Sequence, residues 1–291
     1  MSESSGLARR LASALPLLFV VLWSTGFIGA RLGTPHAPPL TFLALRYAAV
    51  VVLMGLLSFA SRAPWPRGAR EWTHIGIAGL LLHGVYLGGV FIAIARGLPA
   101  GVASLVVGLQ PLLTAIVAGR LFGETVSPRQ WLGLLLGFGG VGLVVFGRTG
   151  GGFGMGALVP ACVALVGITA GTLWQKQFCP RFDWRTGALA QFLPTAVATA
   201  LVAAFTEQAP VHWTGEFIFA LGWLVLVLSL GAVSLLNVLI RRGAAVDIAS
   251  LFYLVPPCTA LFAWLLFGDT LRGTALAGMA IAAWGVTLAR R

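Results

Sequence analysis

Two stretches decide the reading of this chain: PLLTAIVAGRLFGETVSPRQWLGLLLGFGGVGL at residues 111–143 and PPCTALFAWLLFGDTLRGTALAGMAIAAWGVTL at residues 256–288. Set against each other without gaps, at an offset of 145, they agree at twelve of 33 positions. An apolar composition yields some of these identities by chance. It does not account for Pro111 falling on Pro256, for Leu121-Phe122-Gly123-Glu124 falling on Leu266-Phe267-Gly268-Asp269, or for Gly133 and Gly140 falling on Gly278 and Gly285. Prolines and glycines shape backbones, so the offset marks a structural repeat of half the chain's length.

Working outward from the repeat, 58% of the 291 residues are apolar and 9% are charged, a balance that leaves too little polar surface for a water-soluble domain. Apolar blocks of about 20 residues, the length that crosses a bilayer as helix, run over 14–32, 40–60, 72–95, 98–119 and 130–147, then 157–178, 186–206, 216–239, 245–267 and 273–290. The fold class is therefore all-α integral membrane, with ten transmembrane helices. The halves are 1–147 and 148–291, joined by the glycine-rich Gly147 to Gly156, which is the natural hinge. That linker lacks the Gly-Lys-Ser/Thr ending of a phosphate-binding loop. Each half holds five spans, an odd number, so the second enters the membrane in the opposite sense and the repeat is inverted. Two similar halves facing opposite ways can exchange conformations and expose a central cavity alternately to each side.

Orientation follows from the basic residues. With the N-terminus inside, fourteen Lys and Arg fall on the cytoplasmic side, among them Arg9, Arg10, Arg62, Arg67, Arg70, Arg120, Arg129, Lys176 and Arg185. The opposite side receives only four, Arg31, Arg96, Arg148 and Arg272, and Arg46 lies inside the second span. Both termini are thus expected in the cytoplasm of a bacterial inner (plasma) membrane protein. The net charge of +11 is spread in twos and threes between apolar blocks, as topology signals are, rather than gathered into a nucleic-acid-binding stripe. The first apolar run has no small-residue cleavage pattern before Arg31 and reads as an uncleaved span. Cys162, Cys179 and Cys258, odd in number and without CxxC spacing, define neither a disulfide framework nor a metal site.

Proline in the fourth span of each half, Leu-Phe-Gly-Glu or Leu-Phe-Gly-Asp after it and spaced glycines in the fifth make the chain resemble the EamA-type repeat of the drug/metabolite transporter superfamily. Trp23-Ser24-Thr25-Gly26 and Leu45-Arg46-Tyr47 resemble that family too, so the similarity covers nearly the whole chain. It implies ten helices around a central cavity. Members similar to this chain include exporters of aromatic and neutral amino acids. The motifs are specific to superfamily, not to substrate, and the first and sixth spans match each other poorly.

Polar groups within hydrocarbon each need a partner, a wet cavity or a structural reason. His83 lies mid-span, and Gly79, His83, Tyr86 and Val90 fall on one helical stripe able to line a cavity, although a histidine bonded for packing alone is the competing reading. Trp65, Trp72, Trp131, Trp184 and Trp213 lie at span ends, where interfacial anchors are expected. Trp23 and Trp174 lie deeper and are open to stacking on a substrate or to plain packing. Pro256 and Pro257 should kink the ninth span and free carbonyls beside Ser250 and Tyr253, with Gln110 and Pro111 as the repeat-related place in the fourth. Asn237 in the eighth span adds another amide; amides also join helices. Arg46 is expected to be structural, as an ion or dipole partner, and Lys176 to snorkel or form part of a gate.

These features favour a secondary carrier or facilitator that moves small metabolites, amino acids first among them, out of the cytoplasm. Neither a cofactor nor a metal is implied, the expected partners are a small-molecule substrate and the lipid bilayer, and the sequence leaves the oligomeric state open, a monomer included. With no Asp or Glu at mid-membrane, downhill uniport is preferred to proton coupling. The alternative is a proton-coupled exporter of cationic drugs, which the scarcity of buried carboxylates disfavours. Four histidines, only one of them deep in the membrane, offer no acid/base or metal cluster for an enzyme.

Overall fold

The computed structural model describes residues 2–122, 127–146, 154–179, 182–232, 235, 252–269 and 273–288. Among these every regular element is helical, and ten helices follow the ten predicted spans. They are α1 (Ser2–Gly33), α2 (Pro39–Ala60), α3 (Gly68–Ala95), α4 (Ala100–Val107, resuming as Gln110–Phe122), α5 (Pro128–Phe146), α6 (Met155–Phe178), α7 (Trp184–Thr206), α8 (Gly215–Ala232), α9 (Val255–Phe267) and α10 (Gly273–Leu288). Six stretches, Ala14–Gly33 and helices α2, α3, α6, α7 and α8, are each long and apolar enough to cross a bilayer, while α4, α9 and α10 supply shorter apolar pieces. Leu135, Phe205, Trp264, Leu265 and Trp284 stand on the outside, each more than half exposed. Such a surface would drive aggregation in water, and lipid tails are its proper solvent. The protein is a multi-pass membrane protein.

The offset seen in sequence governs the helix limits as well. Gln110–Phe122 and Val255–Phe267 stand 145 apart at both ends, as do the starts of α2 and α7, the starts of α5 and α10, and the ends of α1 and α6. Packing obeys the same exchange. Helix α1 packs on α8 as α6 packs on α3, α1 on α9 as α6 on α4, and α2 on α8 as α7 on α3; the pairs α2–α7, α4–α9 and α5–α10 map onto themselves. The α5–α10 crossing shows the sense of the repeat. A Cβ on Gly140 would lie 2.4 Å from the Gly278 oxygen and 2.6 Å from the Ala282 nitrogen, and one on Gly285 would lie 2.5 Å from the Gly133 oxygen and 2.7 Å from the Gly137 nitrogen. Rising numbers on one helix meet falling numbers on the other, so these repeat-related helices run antiparallel. Their contact is backbone on backbone, as expected where lipid offers no hydrophobic drive and close packing must hold helices together.

Two departures from regular helix also recur at the offset. Pro111 has no N–H to give the Val107 carbonyl, and α4 breaks just before it. Leu109 donates to the Val106 oxygen (3.2 Å) in a tightened turn, and Leu112 and Leu113 then both donate to the Leu109 oxygen (3.0 and 3.1 Å) as the helix resumes. The predicted continuous fourth span is thus two segments. In the other half a 3-10 turn, Phe252–Leu254, precedes α9, and Pro256 and Pro257 occupy its first turn, where missing N–H groups cost nothing. The part of the predicted ninth span before Phe252 lies outside the described residues. The second departure is a π-helical stretch at Leu80–Val85 in α3, matched by Trp223–Ala232 in α8. The wide turn falls within the predicted stripe on α3, of which Gly79, Tyr86 and Val90 are buried and His83 is half-buried.

Candidate functional site

The π-turn explains the chemistry around His83. Such a turn leaves a carbonyl without its usual i+4 partner, and the fully buried Tyr47 of α2 donates its hydroxyl to the His83 oxygen at 2.8 Å. The imidazole lies almost parallel to the Phe192 ring of α7, with centroids 4.1 Å apart and planes at 18°, and Tyr47 packs on the same ring at 5.5 Å. Its Nε2 meets Oε1 of Gln191 at 3.2 Å, and the Gln191 amide nitrogen donates to Oε1 of Gln175 on α6 at 3.0 Å. Because an amide oxygen only accepts, this arrangement places the imidazole proton on Nε2. Four helices, α2, α3, α6 and α7, are thereby joined through one chain of polar groups.

Arg46, one residue before Tyr47, is 7% exposed and donates from Nη2 to the Ser229 hydroxyl of α8 at 3.2 Å. That hydroxyl in turn donates to the Leu224 oxygen across the π-helical stretch (3.0 Å). Arg46 lies within electrostatic reach of Tyr86 and His83. The structure therefore brings three residues singled out in the sequence, Arg46, His83 and Tyr86, into one neighbourhood.

The remaining candidates fall elsewhere. Trp23 packs against Phe19 and edge-on against Phe252, all at centroid distances of 5.3 Å, between α1 and the turn that leads into α9. Ser24 beside it donates to the Val20 oxygen (2.7 Å) and approaches the Val255 oxygen (3.4 Å), a carbonyl next to the proline pair. Gln110 donates to Thr114 (3.0 Å) and across to Thr172 of α6 (3.4 Å). Trp174 is committed to a different group: its indole N–H donates to the His74 oxygen at 3.2 Å, and its ring packs on Phe178 and His74. Lys176 sits in the last turn of α6. Asn237 and Ser250 lie outside the described residues, and Tyr253 is placed only by its backbone, in the 3-10 turn. Pro256 and Pro257 line a narrow crevice between α4, α9 and α10 together with Leu105, Gly108 and Met279. A larger hollow of about 370 Å³ runs between α3 and α6, lined by Leu81, Val85, Met155, Val159 and Val163, and it opens to the lipid side.

Sequence reasoning passed over Gln191, Gln175, Ser229 and the Trp223 indole, which donates to Thr25 at 2.9 Å. The signal for Gln191 was present in the repeat, because the offset carries Arg46 onto Gln191 and Tyr47 onto Phe192.

Ties at the two ends of the bundle join the halves. At one end Arg31 forms a bidentate pair with Asp269 (2.8 and 3.1 Å), and Glu207 accepts from the Leu40 and Thr41 nitrogens (2.9 and 2.7 Å), capping the start of α2 from the end of α7. At the other end Thr186 donates to the Pro64 oxygen at 2.7 Å. There Asp183 caps α7 and pairs with Arg185, whose guanidinium hydrogen bonds hold the carboxyl below the usual carboxylate range.

Residues 11–146 match the model of the EamA-like transporter family. Over that stretch the chain is EamA-like. A "Probable amino-acid metabolite efflux pump" of Salmonella typhimurium is 28% identical over 276 residues, covering 91% of this chain and 89% of that protein. An "Uncharacterized transporter YvbV" of Bacillus subtilis is 25% identical over 95% of this chain and 90% of its own length. The "Uncharacterized inner membrane transporter YedA" of Escherichia coli K12 is 26% identical over 90% and 84%. A crystal structure superposes with a TM-score of 0.64 at 24% identity, covering 96% of both chains, a likeness of fold. The family match and these relatives mark the chain as a membrane transporter.

Proposed function

We propose that this EamA-type protein is a secondary carrier that exports amino-acid-derived metabolites from the cytoplasm, and that the halves 1–147 and 148–291 alternate access to a site between them. The observation that supports this most is the recurrence, at one offset, of both backbone irregularities: the tightened turns that lead into Pro111 and Pro256 and the π-stretches of α3 and α8. Irregular backbone inside a membrane is tolerated where it lines a cavity or is re-satisfied by neighbours, and a repeated pair of such sites is the architecture on which two exchangeable conformations can be built. In this reading His83, Tyr86, Gln110 and Trp23 face the substrate path together with Asn237, Ser250 and Tyr253, and both termini lie in the cytoplasm of an inner membrane.

The amino-acid reading draws on the similarity to proteins named as probable amino-acid metabolite efflux pumps. Uniport is favoured because all eight acidic residues fall in predicted loops or at span ends, which leaves His83 as the titratable group at depth. The test is uptake of labelled amino acids into proteoliposomes with and without an imposed proton gradient. The expected result is downhill uptake that needs no gradient; a strict gradient requirement would contradict uniport.

A further inference from the structure

We infer that Arg46 is the anion-binding group of the transport site and reads the carboxylate of the substrate, an inference that rests on the carrier reading above. Three observations carry it. The first is its environment: the side chain is 7% exposed, its recorded bond is to a neutral hydroxyl, and its Nε is buried with no hydrogen-bond partner. A guanidinium stays protonated, and a buried charge without a countercharge is costly.

The second is where the acidic residues lie. Among the described residues Arg46 forms no ion pair. The three carboxylates at its end of the bundle are engaged elsewhere: Glu207 caps α2, Asp269 binds Arg31, and Glu216 meets His36 at 3.0 Å. The protein therefore keeps a desolvated cation and spends its nearby anions on other partners.

The third is the repeat-related position. Gln191 holds the same place in the second half and is satisfied at both ends of its amide by His83 and Gln175. The scaffold accepts a neutral residue there, so packing does not require the charge at 46. The unpartnered Nε and the adjacent Nη2 form one edge of the guanidinium fork, the edge that a carboxylate engages with two parallel bonds. The Ser229 hydroxyl on Nη2 is the neutral acceptor that a carboxylate oxygen would replace. Tyr86 and His83 lie within electrostatic reach of the guanidinium and would set aromatic surface beside a bound carboxylate.

The experiment compares proteoliposome uptake of labelled L-phenylalanine, L-leucine and L-cysteine with uptake of their carboxamides, in wild type, Arg46→Gln and Arg46→Lys. The expected wild-type preference for the acid is roughly tenfold or more, the size of one charge-assisted contact. In Arg46→Gln the preference should disappear through a raised KM for the acid, with carboxamide uptake unchanged, and Arg46→Lys should keep a reduced preference. Should Arg46→Gln fail to fold, Arg46→Lys decides alone: an acid-to-amide ratio lowered severalfold supports the assignment, and an unchanged ratio overturns it. An equal loss for acid and amide in a folded variant, or a preference that survives in Arg46→Gln, overturns it as well. Wild-type protein that moves neither acids nor amides defeats the amino-acid carrier reading itself, and this inference with it.

Discussion

Arg46 and Gln191 occupy one repeat position in two halves of the same scaffold, yet their surroundings are opposite. Around Gln191 the polar groups are closed on one another, His83 on one side and Gln175 on the other. Around Arg46 a charge meets one hydroxyl and a nitrogen is left over. Backbone geometry repeats through the molecule while side-chain chemistry does not. The lesson is that the offset preserves what holds the helices in place, and the departures from it mark where the halves have acquired different work.

The strongest way to break the comparison is to attack what is shared. Gly140→Leu and Gly285→Leu each force a side chain into the opposing backbone of the α5–α10 crossing, and each should cost about 3 kcal/mol or prevent stable extraction. Detergent melting curves would measure it. The two losses should be similar, while Gly139→Ala, where a Cβ meets nothing within 4 Å, should leave the melting temperature unchanged. Very different losses at Gly140 and Gly285 would contradict the equivalence of the halves.

The next test separates the two sites. Gln191→Leu orphans His83 and Gln175 together and should destabilise by about 1–2 kcal/mol. Arg46→Met removes an uncompensated buried charge and should leave stability unchanged or raise it by about 1 kcal/mol. Opposite signs at repeat-related positions would sharpen the contrast. A loss at Arg46→Met as large as that at Gln191→Leu would show that the arginine is a structural ion or dipole partner, as expected from the sequence alone.

Much of the fold was legible before any coordinates, because bilayer thickness fixes span length and the offset ties one half to the other. Most of the described helix ends fall within a few residues of the predicted spans. The break before Pro111 was less legible, because the spacing of apolar residues runs straight through it and only the missing N–H signals it. The π-stretches of α3 and α8 have no proline to announce them. Of the candidate site, Arg46, His83 and Tyr86 come together. Trp174 is bound to His74 instead, because a span position deep enough to suggest a cavity is equally deep when it faces a neighbouring helix. Partners such as Gln191 and Ser229 lie on other helices, and which faces meet is settled by packing that one sequence does not display.

A single site exposed alternately to two sides makes a kinetic demand that a channel or a scaffold does not: solute on the far side must speed the return of the empty or loaded carrier. Proteoliposomes preloaded with unlabelled amino acid should therefore take up the labelled form severalfold faster at first than empty ones, with the excess then decaying. Labelled uptake indifferent to internal solute, at every concentration for which uptake is measurable, would contradict alternating access between the two halves.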